Sequence, residues 1–418
     1  MIPESWINGH ETRNVAVILA GGFGALGLIR ELGRQSIPVV VLSATEFLTK
    51  SRHCVGFVVQ NEPETLQSLL QIPALLAKKP LLFTDNDTDL DLIYAHWDVL
   101  SDLYILSTHL NNRRLTDKSL LHQAALAAAI PVPKTYTNES QWNANKFPLI
   151  IKPLEKENLW QRSGMRGQKG YVCKNKDELI QTLRMFQQYN VACVTQELIL
   201  GDVQTLYGIT LYRNHHGQTH TAFIVQKLRQ FPVDNGTGST HVTCNIPVII
   251  EHSKKLLDSV DYCGVADIEY KFDTATQQYF LIEVNGRFPE QYGIIEKLRG
   301  SFGTVGSEKS FGPFIYENLL HPSHTPTSDY RAPETSIAWV LFVNDLRSML
   351  QEREIRKWFL YFTGIFRYRI QGAVFRWSDL RPTLYYWKYL TKTLCTKILQ
   401  SVFPQNSLTR PWKSPSND

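Results

Sequence analysis

Residues 280–288 read "FLIEVNGRF". Glu283 and Asn285 alternate with Ile282 and Val284, so an extended strand puts the acid and the amide on one face and the apolar pair on the other. Gly286 and Arg287 follow directly. Alternation by itself argues only for a half-buried strand with one solvated face. Whether this face carries chemistry depends on what the rest of the chain brings beside it.

Upstream, "DIEYKFDTATQQYF" supplies a neighbouring strand and a turn at Thr274–Gln277, so Glu269 sits on the strand that would pair with the first. Further back, "KFPLIIKPLEKEN" is an apolar strand with Lys152 where it stops, and "SGMRGQKGYVCKN" is a loop of three glycines and three basic residues. "DELIQTLRMFQQY" has helical periodicity, and "VACVTQELILGD" is a strand running into a turn. "LYGITLYRNHHGQTHTAFIVQKLRQFP" predicts a hairpin turning at His216-Gly217. "TDKSLLHQAALAAAIPVPKTY" predicts a helix capped by Thr116-Asp117 and stopped at Pro131. Strands and helices mix here without strict alternation, which points to an α+β segment.

The N-terminal part has a different character. "NVAVILAGGFGALGLIRELGRQSIPVVVLS" reads as strand, glycine turn, helix and strand, a βαβ unit of a parallel sheet, and "KPLLFTDND" adds another strand. The loop G-G-x-G-x-x-G approaches a dinucleotide fingerprint, but the next strand ends uncharged at Leu42-Ser43 and the first acid, Glu46, comes late. The better reading is a glycine turn that feeds a helix.

Composition bounds the answer. The chain has 418 residues, 43 % hydrophobic and 20 % charged, which allows two or three domains and a sizeable core. Six scattered cysteines without a CxxC pair argue against a disulfide framework or a zinc site and fit a reducing cytoplasm. The first ten residues lack a basic segment followed by an apolar one, and no apolar run approaches the roughly 18 residues of a membrane span. From residue 331 onward 14 Lys+Arg face 6 Asp+Glu, a balance of +8; the rest of the chain carries −3, giving the total of +5. That basic stretch interleaves Trp, Tyr and Phe with Arg and Lys, and "HPSHTPTSDY" precedes it as a linker. It reads as a helical appendage packing aromatic faces on the core with its arginines solvated; the rival reading is an interfacial segment over 353–403 on an anionic membrane. No nucleic-acid module appears.

Taken in order, Lys118, Lys152, the glycine loop 163–170, Gln196-Glu197, Glu269 and Glu283-x-Asn285-x-Arg287 suit one task, holding a triphosphate with its magnesium ions. Lysines neutralise phosphate as point charges. Loop N–H groups can wrap it. Magnesium takes carboxylate and other oxygen ligands together with substrate phosphates.

This order resembles the ATP-grasp superfamily, through "TDK", "IIKP", "SGMRGQKG", "QELILGD", "DIEY" and "IEVNGRF" over roughly residues 113–300. The resemblance implies a Rossmann-like pre-ATP-grasp domain over 1–112, a two-subdomain ATP-grasp domain over 113–320 hinged near 196–202, and a basic, aromatic helical region over 331–418. It implies that Lys118 and Lys152 contact the α- and β-phosphates of ATP. The loop with Ser163, Gly164, Gly167, Lys169 and Gly170 would close over them. Gln196 or Glu197, with the backbone of Leu198 and Ile199, would meet adenine, and Asp202 or Gln204 the ribose. Glu269, Glu283 and Asn285 would bind Mg2+, or Mn2+ in its place, with Asp267 a runner-up whose plainer reading is a strand-edge acid. Arg287, with Lys152, would serve catalysis at the transferred phosphate, and Lys227 and Arg229 would be further phosphate contacts.

The order "QELILGD…LYGITLY", "KLRQFP…GTGST" and "CGVADIEYKFD" looks most like the carboxylate–amine ligase branch that includes D-aspartate ligase. That implies a cytoplasmic enzyme that activates a small carboxylate as an acylphosphate and joins it to an amine. An acceptor other than an amine, and a non-catalytic nucleotide-binding regulator, are the alternatives. The segment after Arg287 is expected to line the acceptor side, with Gln291 and Tyr292 as candidates. A homodimer and attachment to the cytoplasmic face of a membrane stay open.

Overall fold

A computed structural model describes residues 2–136, 142, 147–154, 170–233, 236–298, 310–322, 333–352 and 367–402. The N-terminal segment forms a five-stranded parallel sheet in the order β3-β2-β1-β4-β5. Its strands are β1 (Ala16–Leu19), β2 (Val39–Ser43), β3 (Val55–Val58), β4 (Leu81–Thr84) and β5 (Ile105–Leu106). β1 lies between β2 and β4, so the strand order reverses beside it and a crevice opens at the carboxyl ends of β1 and β4. Helix α1 (Phe23–Arg34) leaves that crevice and α2 (Asp87–Ala95) follows β4.

Four short strands make a second, antiparallel sheet in the order β6-β9-β7-β8: β6 (Thr135–Tyr136), β7 (Leu149–Pro153), β8 (Tyr171–Cys173) and β9 (Cys193–Glu197). Helix α3 (Lys118–Ala127) precedes this sheet, and the amide of Leu120 bonds the Asp117 carboxylate as the cap predicted. Helix α4 (Lys176–Gln188) covers the sheet with Leu179 and Phe186, which pack on Leu149, Ile151 and Cys173.

The third sheet is the largest, ordered β14-β13-β10-β11-β12-β15-β16. It comprises β10 (Leu206–Arg213), β11 (Thr219–Phe231), β12 (Thr237–Thr243), β13 (Gly264–Asp273), β14 (Gln278–Asn285), β15 (Ile337–Val340) and β16 (Arg369–Gly372). One face carries Ile209, Ile224, Ile268, Tyr270 and Val284 onto α3 and onto helix α5 (Pro247–Asp258). The opposite face carries Tyr212, Phe223, Val225 and Val265 into a core shared with Leu26 and Ile29 of α1, with Phe83, and with Phe288 and Tyr292. The N-terminal sheet and the large sheet are therefore fused through one apolar core.

Among its described residues the C-terminal region carries the helices α6 (Phe342–Glu352) and α7 (Arg381–Val402). It also supplies β15 and β16, which an all-helical reading did not anticipate: strands of four residues fall below what periodicity can separate from a helix. Among the described residues no helix is long and apolar enough to cross a membrane.

Two features join these parts. Cβ atoms at Gly24 and Gly27 of α1 would meet the Pro289 carbonyl oxygen at 2.2 Å and Gly293 Cα at 2.9 Å, so α1 lies directly on the segment that follows Arg287. Next in α1, Arg30 pairs with Asp379 at 2.9 Å while Glu31 accepts the Tyr292 hydroxyl at 2.5 Å. Burial raises Glu31 to about 7, against the hydrogen bonds from Tyr292, Ser310 and Gly312.

Gly24→Ala should lower stability by about 3 kcal/mol in chemical denaturation, because a backbone carbonyl cannot swing aside as a side chain can. The raised Glu31 favours the folded state in its protonated form, so its contribution is full below about pH 4.5 and is lost as pH rises to about 7. Glu31→Gln should match the parent near pH 4.5 and exceed it by up to about 3 kcal/mol at pH 8.

Candidate nucleotide and metal site

Pairing of β13 with β14 sets Glu269 opposite Glu283 and Asp267 opposite Asn285. The question posed by "FLIEVNGRF" is settled at this level: its polar face meets a second polar face on the adjacent strand. On the other side of β13, Gly208 lies beside Glu269 and Thr210 beside Asp267. The glycine leaves the space above Glu269 open, and a cavity of about 150 Å³ forms there. Lys227, His241, Asp267, Glu269, Asn285 and Arg287 line it, with Glu290 and Gln291. Asp267 is buried and its carboxyl is pushed up to about 7, by burial first and then by the neighbouring Glu269. Arg287, Asn285 and Thr210 pull the other way.

Lysines approach these acids from both the small and the large sheet. Lys152, at the end of β7, is half-buried; burial lowers its pKa, and Glu283 and Glu269 oppose that. The small sheet thus turns Lys152 toward the acids of the large one. Lys118 donates to the Pro153 carbonyl at 2.6 Å, which ties the start of α3 to the residue after Lys152. Lys227 faces the cavity beside His241. Lys271 belongs with them, because burial, then Lys152 and Lys227, lower its pKa while Asp202 raises it. Sequence reading passed over Lys271, although Asp267, Glu269 and Lys271 alternate on one strand face.

Arg229 does not join the lysines. The register shifts between Lys227, paired with His241, and Arg229, paired with Thr240, so a bulge turns Arg229 to the opposite face. There it holds Asp345 through two bonds of 2.8 and 3.1 Å and donates to Thr240 Oγ1 at 3.1 Å. Tyr292 is likewise taken up by the core, bonded to Glu31, while Gln291 reaches the cavity. Arg287 lines the cavity and at the same time grips Asp87 of α2 at 3.1 and 3.3 Å.

Along β9, Gln196 donates to Thr135 Oγ1 at 3.3 Å, and Glu197 accepts from the Lys134 amide at 3.3 Å. Leu198 is half-buried and Ile199 buried. Asp202 caps the turn Val203–Thr205 by accepting from the Gln204 amide at 2.9 Å. Gly170 sits at the entrance to β8, against Ile150. Ser163, Gly164, Gly167 and Lys169 lie outside the described residues.

The glycine loop of the N-terminal sheet has an internal occupant. The Asp85 carboxylate accepts from the amides of Gly21, Gly22 and Ala25, at 2.7 to 3.2 Å. This is the anion cradle of a helix N-terminus filled by the chain itself. The loop feeds a helix, as its sequence suggested.

Among the described residues no three His, Cys, Asp or Glu side chains converge closely enough to hold a metal ion alone. Glu269, Glu283 and the Asn285 amide fit magnesium only when phosphate oxygens and water complete its octahedron. They fit an ion carried by a nucleotide.

Comparison with known proteins agrees with this geometry. Residues 243–301, which span α5, β13 and β14, match the family model of the carbamoyl-phosphate synthase L chain ATP-binding domain. Over 78 % of its length the chain shares the fold of an L-amino acid ligase from Bacillus licheniformis, of which 78 % is covered, at 14 % identity and a TM-score of 0.56. It also has that of the biotin carboxylase domain of the Hydrogenobacter thermophilus 2-oxoglutarate carboxylase, solved with magnesium ADP and bicarbonate (10 % identity, 77 % of this chain and 73 % of that one, TM-score 0.58). The match to an ATP-binding domain and the shared fold agree with the ATP-grasp resemblance of the sequence motifs. Among characterised sequences the chain is similar to the D-aspartate ligase of Enterococcus faecium (strain Aus0004), 20 % identical over 301 residues, covering 65 % of this chain and 71 % of that one.

The opposed faces of Lys227 and Arg229 give a paired test. Lys227→Met should weaken nucleotide binding about tenfold in calorimetry and leave the thermal midpoint nearly unchanged. Arg229→Met should leave nucleotide affinity unchanged and cost about 3 kcal/mol of stability, because it removes the cation paired with the buried Asp345 carboxylate.

Proposed function

We propose that the chain is an ATP-dependent carboxylate–amine ligase that forms an amide or peptide-like bond. The observation that carries this reading is Lys152 set against Glu269 and Glu283, with Lys227 and Lys271 close by: cations for a polyphosphate beside oxygen donors for its metal ion.

Lys118 and Lys152 bind the α- and β-phosphates and hold them still, and Lys227 and Lys271 extend that positive wall. Arg229 is left out of the set. Gln196 or Glu197 with the backbone at Leu198 and Ile199 hold adenine, and Asp202 or Gln204 the ribose. Glu269, Glu283 and Asn285 would hold magnesium, or manganese in its place, which when bound supplies Lewis-acid stabilisation of charge on the phosphates.

A substrate carboxylate oxygen attacks the γ-phosphorus, the bond to ADP breaks, and an acylphosphate forms. An amine then adds to the acyl carbon, phosphate leaves with the bonding pair, and the amine proton passes to solvent or to a base. Arg287 stands on the cavity wall where charge develops on the transferred phosphoryl group, and Asp87 fixes its guanidinium plane. The substrates are small-molecule carboxylates and amines, entering past Glu290 and Gln291.

The test is ADP and phosphate release with a panel of amino acids and dicarboxylates, followed by hydroxylamine trapping. An acyl hydroxamate formed only with ATP and one acid is the expected result. Glu283→Gln should slow ADP release about a hundredfold and weaken magnesium-ATP binding. A bicarbonate-dependent turnover with no amine acceptor would move the chain to the carboxylase-like reading. No stimulation of ADP release by any acid, with Glu283→Gln unaltered in magnesium-ATP affinity, would remove the ligase reading.

A further inference from the structure

Helix α7 has two unlike faces. Pro382 and Tyr386 are buried, and the Tyr386 ring packs at 5.1 Å on Phe47 of the N-terminal domain. Leu384 and Trp387 point the other way, 66 % and 57 % exposed. Just before the helix, Trp377 is 82 % exposed, and its ring stacks edge-on at 4.9 Å with Phe375. A Cβ at Gly372 would meet the Phe342 ring at 3.3 Å and Phe375 at 4.0 Å, so the surface continues onto α6. There Phe342, Leu346 and Leu350, spaced one turn apart, are each about half exposed. Large apolar side chains exposed at helical spacing on two neighbouring elements mark an interaction face.

The face is rigidly mounted. Asp379, where the chain turns into α7, accepts from Arg30 Nε at 2.9 Å, from Ser51 Oγ at 2.8 Å and from the Arg52 amide at 2.9 Å. A turn fixed by three bonds to the N-terminal domain presents Trp377 and Trp387 in a set orientation.

Its charge is one-sided. From residue 380 to 417 there is no Asp or Glu, against six Lys and Arg. Arg381, Lys388 and Lys392 are exposed on α7, and Glu46 of the neighbouring turn stands 3.9 Å from Lys388. Aromatic rings beside lysines whose stems lie along apolar surface are what an amphipathic element presents to the headgroup layer. A second copy docked through a two-fold axis would press two such basic faces together. A nucleic acid would leave Leu346, Leu350 and Leu384 without a partner.

We propose that the face formed by Phe375, Trp377, Leu384 and Trp387, flanked by Arg381 and Lys388, docks the protein reversibly on an anionic lipid surface. This goes beyond the ligase reading and does not depend on it. The test is cosedimentation of the full chain with vesicles of phosphatidylglycerol and phosphatidylcholine, against phosphatidylcholine alone, at low and high salt. Binding should require the anionic lipid and fall with salt. Lys388→Gln with Lys392→Gln should reduce it roughly 30-fold, near fivefold for each lysine. Trp377→Glu with Leu384→Glu and Trp387→Glu should abolish it, with the thermal midpoint and nucleotide affinity unchanged. Absence of binding to anionic vesicles, or binding that the triple variant retains, would overturn the proposal. So would a dimer in sedimentation velocity, or retention of an oligonucleotide, that the triple variant loses while the parent ignores vesicles.

Discussion

The Asp85 carboxylate ties together the loops after β1 and β4, beside the strand end that carries Glu283 and Asn285. It fills the amide cradle at Gly21, Gly22 and Ala25, at the crevice where the parallel sheet reverses its order. Burial pushes its pKa up; the amides and Arg287 hold it down. Two residues on, Asp87 grips Arg287, and on the other side of the crevice α1 rests on Pro289 and Gly293. The strand end that carries Glu283 and Asn285 is thereby clamped from both sides. A fold that elsewhere uses such a cradle for a ligand's phosphates uses it here to tie the loop after β4 to the loop after β1.

The same economy shows in the large sheet. Its two faces divide labour: one packs apolar side chains on α3 and α5, and the other begins in the shared core and ends in charged side chains. Charge collects where the apolar packing stops. That boundary places carboxylates and lysines at the edge of a low-dielectric region, where electrostatic interactions are stronger than in water.

Much of this was legible in the sequence. The βαβ start, the hairpin at His216-Gly217, the turn at Thr274–Gln277 and the alternation through Glu283 and Asn285 are local patterns, and they fold as local patterns do. Lys271 was equally legible by alternation and went unread because the family order drew attention to Glu269. Arg229 was not legible: a bulge between it and Lys227 is a decision of strand pairing, and two basic residues spaced by two always look like partners. Asp85 as the occupant of the glycine loop was also hidden, since 60 to 64 residues separate donor from acceptor. The C-terminal region divided in the same manner. Its helices announced themselves by periodicity. The short strands β15 and β16, and the burial of Arg376 against Glu296 where a solvated arginine was expected, depend on contacts made far along the chain.

The small sheet differs from its neighbours in how little holds it. Among the described residues its own apolar cluster has five buried members, Leu149, Ile151, Cys173, Leu179 and Phe186, while the shared core is many times larger. A unit of that size opens at a free energy well below that of global unfolding. Its amides would exchange with deuterium early, as a separate cooperative unit, in the absence of ligand. Any ligand gripped by Lys152 from one side and by the large sheet from the other would close that gap in stability by mass action. A ligand held there would complete the folding of the subdomain.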